Sequence, residues 1–341
     1  MPSTLVTADR APPGTTVLEC RDLTVRFRTD RGEVAAVSDL SFDLRAGECL
    51  GVVGESGSGK SQTFLAAFGL LAANGRASGS IRYRGVELLG APATTLDRLR
   101  GDRLAMVFQD ALSGLTPTMR IGDQLAEVLV RHRGMARREA IARAVAALAA
   151  VRVPDPEARV RSYPFELSGG QRQRVMIALA MLCGPEVLVA DEPTTALDVT
   201  VQAQVLRLLR GLRDETGSAL VLITHDLAVV AGLCDHVLVM YGGRAVETGP
   251  VREVLRAPRH PYTRALLRSM PSLTADPDVD LAVIPGQPPD LENLPPGCAF
   301  APRCDRAHDA CTASRPPLRA TGPGRASACH LDDAGGNHGD A

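Results

Sequence analysis

The sequence predicts an α/β fold built on a largely parallel sheet, and two observations carry that expectation. Short, near-continuous apolar segments (CLGVV at 49–53, EVLVA at 186–190, ALVLIT at 219–224, HVLVMY at 236–241) alternate with segments of helical periodicity. Strands buried on both faces between crossover helices give this texture. A glycine-rich turn, GESGSGKS at 54–61, also joins one such strand to a helix.

The 341 residues are 45% apolar and 23% charged, which suits a globular core with a smaller second unit. A net charge of −1 offers no field for a polyanion. With four Tyr, seven Phe and no Trp, base-stacking platforms are scarce, and no nucleic-acid partner is expected. Met1–Thr16 carries Pro, Gly and Asp where a signal peptide needs an apolar run, and it reads as a flexible N-terminus. No apolar stretch approaches the roughly 20 residues of a membrane span. The chain is therefore expected in the cytosol, where disulfides between its eight cysteines are not expected.

In chain order, 17–28 and 34–44 alternate apolar and polar residues between turn signals, so they read as early antiparallel strands. The strand at 49–53, the glycine turn and the helical SQTFLAAFGLL follow. From about 120 to 165 the pattern becomes helical, with Ile121, Leu125, Val128 and Leu129 on one face. EAIARAVAALAAV at 139–151 ends before Pro154 and Pro156. The α/β rhythm then resumes, with helices expected at 201–215 and 227–233. Beyond Gly249 it stops. Nine of the 24 prolines fall in 285–341 and large apolar residues are few, so this tail is expected to be either disordered or stapled.

GESGSGKS fits G-x-x-x-x-G-K-[ST] in the strand–turn–helix context that the motif requires. Gly54, Glu55, Ser56, Gly57, Ser58 and Gly59 would turn backbone N–H groups onto phosphate oxygens at a helix N-terminus. Lys60 would reach the β- and γ-phosphates, and the Ser61 hydroxyl would hold Mg²⁺. Of 38 basic residues, 37 are Arg; the single lysine is Lys60. A compact ammonium at a tight phosphate site is a task that a planar guanidinium does not take over. At the end of EVLVA, Asp191 would hold the Mg²⁺ shell and Glu192 would orient or deprotonate the attacking water. LSGGQ at 167–171 opens a second helix with paired glycines, a second anion site more than a hundred residues away.

These motifs, with Gln109 in VFQD and His225 in LITHD, make residues 17–250 resemble the ATP-binding subunit of an ABC transporter. The resemblance implies a P-loop NTPase of ABC type, a mixed-sheet core with an antiparallel β subdomain and a helical subdomain over about 110–175. It implies ATP and Mg²⁺, with Gln109 beside the ion and His225 on the γ-phosphate. Ser168, Gly169, Gly170 and Gln171, with Asp198 of Thr195-Ala196-Leu197-Asp198, would face nucleotide on a second ATPase subunit. Phe27 falls where the family stacks an aromatic ring on adenine, although its alternating strand equally allows a core position.

TTALDVTVQAQVL, ITHDLAVVAGLCD, HPYTRALLRSMP and PGQPPDL narrow the resemblance to the oligopeptide/dipeptide and nickel importers. It then covers nearly the whole chain, with 251–341 as a C-terminal extension. Integral-membrane permease subunits and an extracytoplasmic peptide-binding protein are implied, as is a peripheral position on the cytoplasmic face of the membrane. Asp110-Ala111 and Thr116-Pro117 depart from the family's usual residues near the permease-docking region. In the extension, Cys298, Cys304, Cys311 and Cys329 place four thiols within 32 residues. Their gaps match neither the common zinc pairs nor the tight ferredoxin run, so spacing does not choose between Zn²⁺ and iron–sulfur. The resemblance implies a [4Fe–4S] cluster. The four scattered cysteines, 20, 49, 183 and 234, are expected in the core.

Overall fold

The computed structural model describes residues 10–110, 114–195, 197–270 and 283–332. The chain divides into two compact units. One gathers Met1–Leu18, Asp43–Cys49 and Tyr83–Ile223; the other gathers Glu19–Phe42, Leu50–Arg82 and Thr224–Ala341.

The early alternation forms long strands β1 (Thr16–Thr29) and β2 (Gly32–Arg45). The all-buried β3 (Cys49–Val53) runs into α1 (Lys60–Ala67) through the glycine turn. Next come β4 (Gly75–Tyr83) and β5 (Val86–Glu87), then α2 (Ala93–Leu99) and β6 (Leu104–Val107). β2, β1 and β4 lie side by side in that order.

The helical stretch consists of α3 (Ile121–Arg133), α4 (Arg137–Ala150), α5 (Pro156–Arg159) and α6 (Gly169–Met181). Ile121, Leu125 and Leu129 are buried, as their spacing requires, whereas Val128 is only half-buried. Pro156 stands at the start of α5, where a missing N–H costs nothing. α3 packs on α4, and both contact α6. In this first unit β7 (Val187–Asp191) lies parallel between β6 and β8 (Ala219–Thr224), with Val189 opposite Met106 and Val221. The crossover helix α7 (Val199–Thr216) connects β7 to β8 and buries Val205, Leu209 and Leu212.

In the second unit α8 (Leu227–Leu233) leads to β9 (His236–Tyr241), which pairs in parallel with β3. Val239 stands opposite Val53. β10 (Arg244–Pro250) turns back antiparallel to β9, and α9 (Val251–Arg256) and α10 (Pro261–Arg268) follow. In the tail, α11 (Asp309–Ala313), β11 (Arg319–Gly322) and β12 (Arg325–Ser327) are formed. β12 pairs antiparallel with β10, placing Ser327 opposite Glu247, and β11 pairs with β12. Cys20, Cys49 and Cys183 are buried, and Cys234 is half-buried.

The tail does more than the sequence expectation of disorder or a staple. Phe300 is 2% exposed and sits in a cluster with Val53, Val239, Tyr241, Val254 and Tyr262. Its ring lies edge-on to Tyr241 at 5.2 Å and tilted to Tyr262 at 5.4 Å. Beneath the same segment the buried Glu247 carboxylate accepts the Arg259 and His260 N–H groups and pairs with Arg325. One aromatic anchor and one added hairpin therefore tie the tail to the unit through ordinary packing.

No helix among the described residues is long and apolar enough to cross a membrane.

Candidate functional site

The glycine turn is shaped by its surroundings. Gly54 has φ +157°, and a Cβ there would overlap the Met240 carbonyl oxygen. Gly59 has φ +92°, and a Cβ would overlap the Ala36 carbonyl oxygen. Only glycine meets both demands, and the backbone is left close and bare. Ser58, Gly59 and Lys60 are buried, Glu55 and Ser61 half-buried, and Ser56 and Gly57 exposed. Lys60, 5% exposed, donates to the Gly54 carbonyl at 2.7 Å and the Glu55 carbonyl at 2.9 Å. A cation coiled at the start of α1 beneath exposed N–H groups is chemically suited to a polyphosphate.

Two residues outside the motif grip the loop. The Tyr262 hydroxyl accepts the Glu55 N–H at 2.8 Å, and Arg303 meets the Glu55 carboxylate at 2.7 and 3.0 Å. Sequence reasoning missed both, because they lie 207 and 248 positions away and no local pattern marks them. In the same unit Phe27 is half-buried rather than core, its ring against the bare backbone of Gly75. His225 is exposed just beyond Thr224, whose hydroxyl accepts the Asp226 N–H at 3.0 Å. Asp226 then caps α8 through Ala228 N–H.

The acidic residues belong to the other unit. Asp191 is buried as the last residue of β7. Glu192 follows at φ +43°, a left-handed conformation that costs a residue with a Cβ and turns its side chain out of the strand line. Its carboxylate accepts Gln109 Nε2 at 3.2 Å and the Thr195 hydroxyl at 2.8 Å. The structure thus brings Gln109 and Glu192 together, 83 positions apart. Ser168 caps α6: its hydroxyl accepts Gln171 N–H, while the Gln171 side chain accepts Ser168 N–H at 3.0 Å. Ser168 and Gly169 are exposed, leaving this helix N-terminus open. Gly170 abuts Val201 so closely that a Cβ would force it aside. Asp198 caps α7 through Val201 N–H at 3.0 Å. Ala111 and Ala196 lie outside the described residues.

Cys298, Cys304, Cys311 and Cys329 line one cavity with His260, Phe300 and His330. Burial pushes the Cys329 thiol up to about 11 and raises Cys298 and Cys304 as well. Backbone N–H groups of Phe300, Arg306 and Leu331 oppose that rise by favouring the thiolates. Cys311 Sγ stands 3.2 Å from His308 Nδ1. Thiols lining one cavity are the kind of donor that a thiolate-bound metal takes. Yet among the described residues no group of three or more His, Cys, Asp or Glu is placed to hold a metal ion, so the expected cluster is not supported by their arrangement.

With this geometry in hand, residues 37–195 match the ABC transporter family. Residues 246–311 match the C-terminal region of the oligopeptide/dipeptide transporters. The chain is 53% identical to the oligopeptide transport ATP-binding protein OppD of Salmonella typhimurium, over 95% of this chain and 96% of that protein. It is 54% identical to OppD of Escherichia coli over 92% of each. Among solved structures, the dimeric ATP-binding cassette MJ0796, in a post-hydrolysis state bound to ADP and Pi, superposes with a TM-score of 0.63 at 26% identity. It covers 69% of this chain and 99% of that one. Likeness of this depth, reaching from the glycine turn through the cysteine segment, has one meaning: the chain belongs to the ABC transporter family, in its oligopeptide-transport ATP-binding branch.

Proposed function

We propose that this protein couples ATP hydrolysis to the import of di- and oligopeptides. The observation that carries the reading is the coexistence of a lysine-bearing phosphate loop and an exposed, serine-capped LSGGQ helix in a chain half identical to OppD. The ATPase domain spans 17–250 and the extension 251–341. Gly54 to Lys60 cradle the phosphates, Phe27 supports the adenine, and Ser61, Gln109 and Asp191 hold Mg²⁺. That ion neutralises charge on the phosphates when bound. Glu192 aligns the attacking water and His225 meets the γ-phosphate. Ser168 to Gln171, with Asp198, face nucleotide on a second ATPase subunit, which accords with the dimeric MJ0796 cassette. Permease subunits receive the motion through residues 110–165 at the cytoplasmic face of the membrane, and a peptide-binding protein delivers cargo on the far side.

In the extension, Cys298, Cys304, Cys311 and Cys329 hold a [4Fe–4S] cluster, with Zn²⁺ as the alternative occupant. Their shared cavity supports this, and ligation would contribute folding free energy. The test of the main reading is Glu192→Gln in the assembled transporter. ATP binding should persist while ATP turnover falls by about 10²–10⁴, the usual worth of a general base, and uptake of labelled peptide stops. Turnover near wild type would sink the assignment of Glu192.

A further inference from the structure

Glu55 puts an acidic side chain in a loop suited to a polyanion. The second unit answers it with Arg303, a residue of the cysteine-bearing tail. The guanidinium forks onto both carboxylate oxygens, and the Arg303 side chain is 6% exposed. Its Nε donates to the Pro285 carbonyl at 2.8 Å, and its remaining donors reach the Ile284 carbonyl and the Tyr241 hydroxyl. Tyr241 also lies under the cation, 5.9 Å from ring centroid to guanidinium carbon. Arg303 is thus fixed from several sides before it meets Glu55. Glu55 in turn is held at its N–H by Tyr262, and its carbonyl receives the Lys60 ammonium. The tail is therefore linked to the motif lysine through one residue.

We infer that Arg303 is a positioning residue of the phosphate-binding loop, supplied by the C-terminal tail, which cancels the Glu55 charge so that the loop accepts a nucleoside triphosphate. The physical need is direct. A bare carboxylate beside a triphosphate repels it, and the repulsion grows where water is excluded. A forked guanidinium removes the charge and fixes the carboxylate plane, which a point-charge ammonium does not do. Tyr262 completes the grip without charge. The inference rests on residues 54–61 being the nucleotide loop.

The test uses the full chain, a fluorescent ATP analogue with Mg²⁺, and steady-state ATPase assays. Wild-type binding that is lost in Lys60→Ala establishes the loop independently of Arg303. Arg303→Gln should weaken binding roughly tenfold and raise KM, with kcat changed by less than about threefold, and the loss should grow at low salt. Adding Glu55→Gln should bring affinity back to within about threefold of wild type, because the offending charge is gone. A tail held only for its own fold would not be rescued that way. Wild-type affinity in Arg303→Gln, or a loss that Glu55→Gln leaves in place, overturns the inference. Should Arg303→Gln fail to fold, Arg303→Met, which keeps the apolar stem and removes the charge, replaces it. A loss rescued by Glu55→Gln then supports the inference, and wild-type affinity overturns it.

Discussion

Replacing Phe300 with alanine should open the tail while leaving the rest of the second unit folded. Phe300 is 2% exposed, with rings of Tyr241, Tyr262 and His260 at 5.2, 5.4 and 6.0 Å. Truncating such a side chain costs about 3–5 kcal/mol in transfer and cavity terms together. The lower figure, assigned to docking of the tail alone, raises the open population by roughly a hundredfold, since about 1.4 kcal/mol is a factor of ten. When opening is faster than cleavage, proteolysis follows that population. Limited trypsinolysis is therefore the assay, with Arg306, Arg319 and Arg325 as sites in the tail. Cleavage there should accelerate by about two orders of magnitude while the melting of the remaining protein stays cooperative. Tail cleavage within about threefold of wild type would refute the anchor. An equal acceleration at arginines of α3 and α4 would show that the variant unfolds globally instead.

Two further outcomes follow from the same segment. Burial pushes His260 down to about 3, and its Nδ1 accepts the Tyr262 N–H, so the folded protein keeps the ring neutral. The unfolded chain takes up that proton as pH falls through about 6.5, so stability present above that value drains away below it, by about 1.4 kcal/mol between pH 7.5 and 5.5. Urea titrations at the two pH values measure the loss, and His260→Asn, which keeps an acceptor at the helix cap, should flatten it; an unchanged difference would remove His260 from the account. For the thiols, anaerobically purified protein should carry about four irons per chain, released by Cys304→Ser. One zinc per chain would replace the cluster and keep the staple, whereas metal-free protein with a protease-resistant tail would discard both.

Local signals were enough wherever the cause of structure is local. Alternation placed β1 and β2, continuous apolar runs placed β3, β8 and β9, and serine before paired glycines marked the start of α6. Gln109 beside Glu192 was approached only through motif resemblance, since spacing across 83 residues carries no contact information. Long-range partners were invisible for the same reason. Nothing in HPYTR announces that Tyr262 caps the Glu55 N–H, and Arg303 is one arginine among 37. The composition of the tail speaks only to whether it could fold alone, which it does not have to do. A single phenylalanine entering an existing aromatic cluster, and a three-residue strand joining an existing ladder, require very little apolar sequence of their own.

The hairpin of β11 and β12 also changes what the second unit presents to its neighbours. Without it, β10, a seven-residue strand paired with β9 on one side, would leave the backbone donors and acceptors of its other side open, a template for strand addition by another chain. With it, the outermost strand of that ladder is the four-residue β11, which begins with Arg319 and has a register break between Ala320 and Gly322. Short, charged and irregular edges recruit other strands poorly. A shortened protein ending at residue 282 would regain the long edge and expose the socket vacated by Phe300. It would self-associate as well as bind nucleotide more weakly through the loss of Arg303, which makes the tail a guard of solubility as well as an accessory to the nucleotide loop.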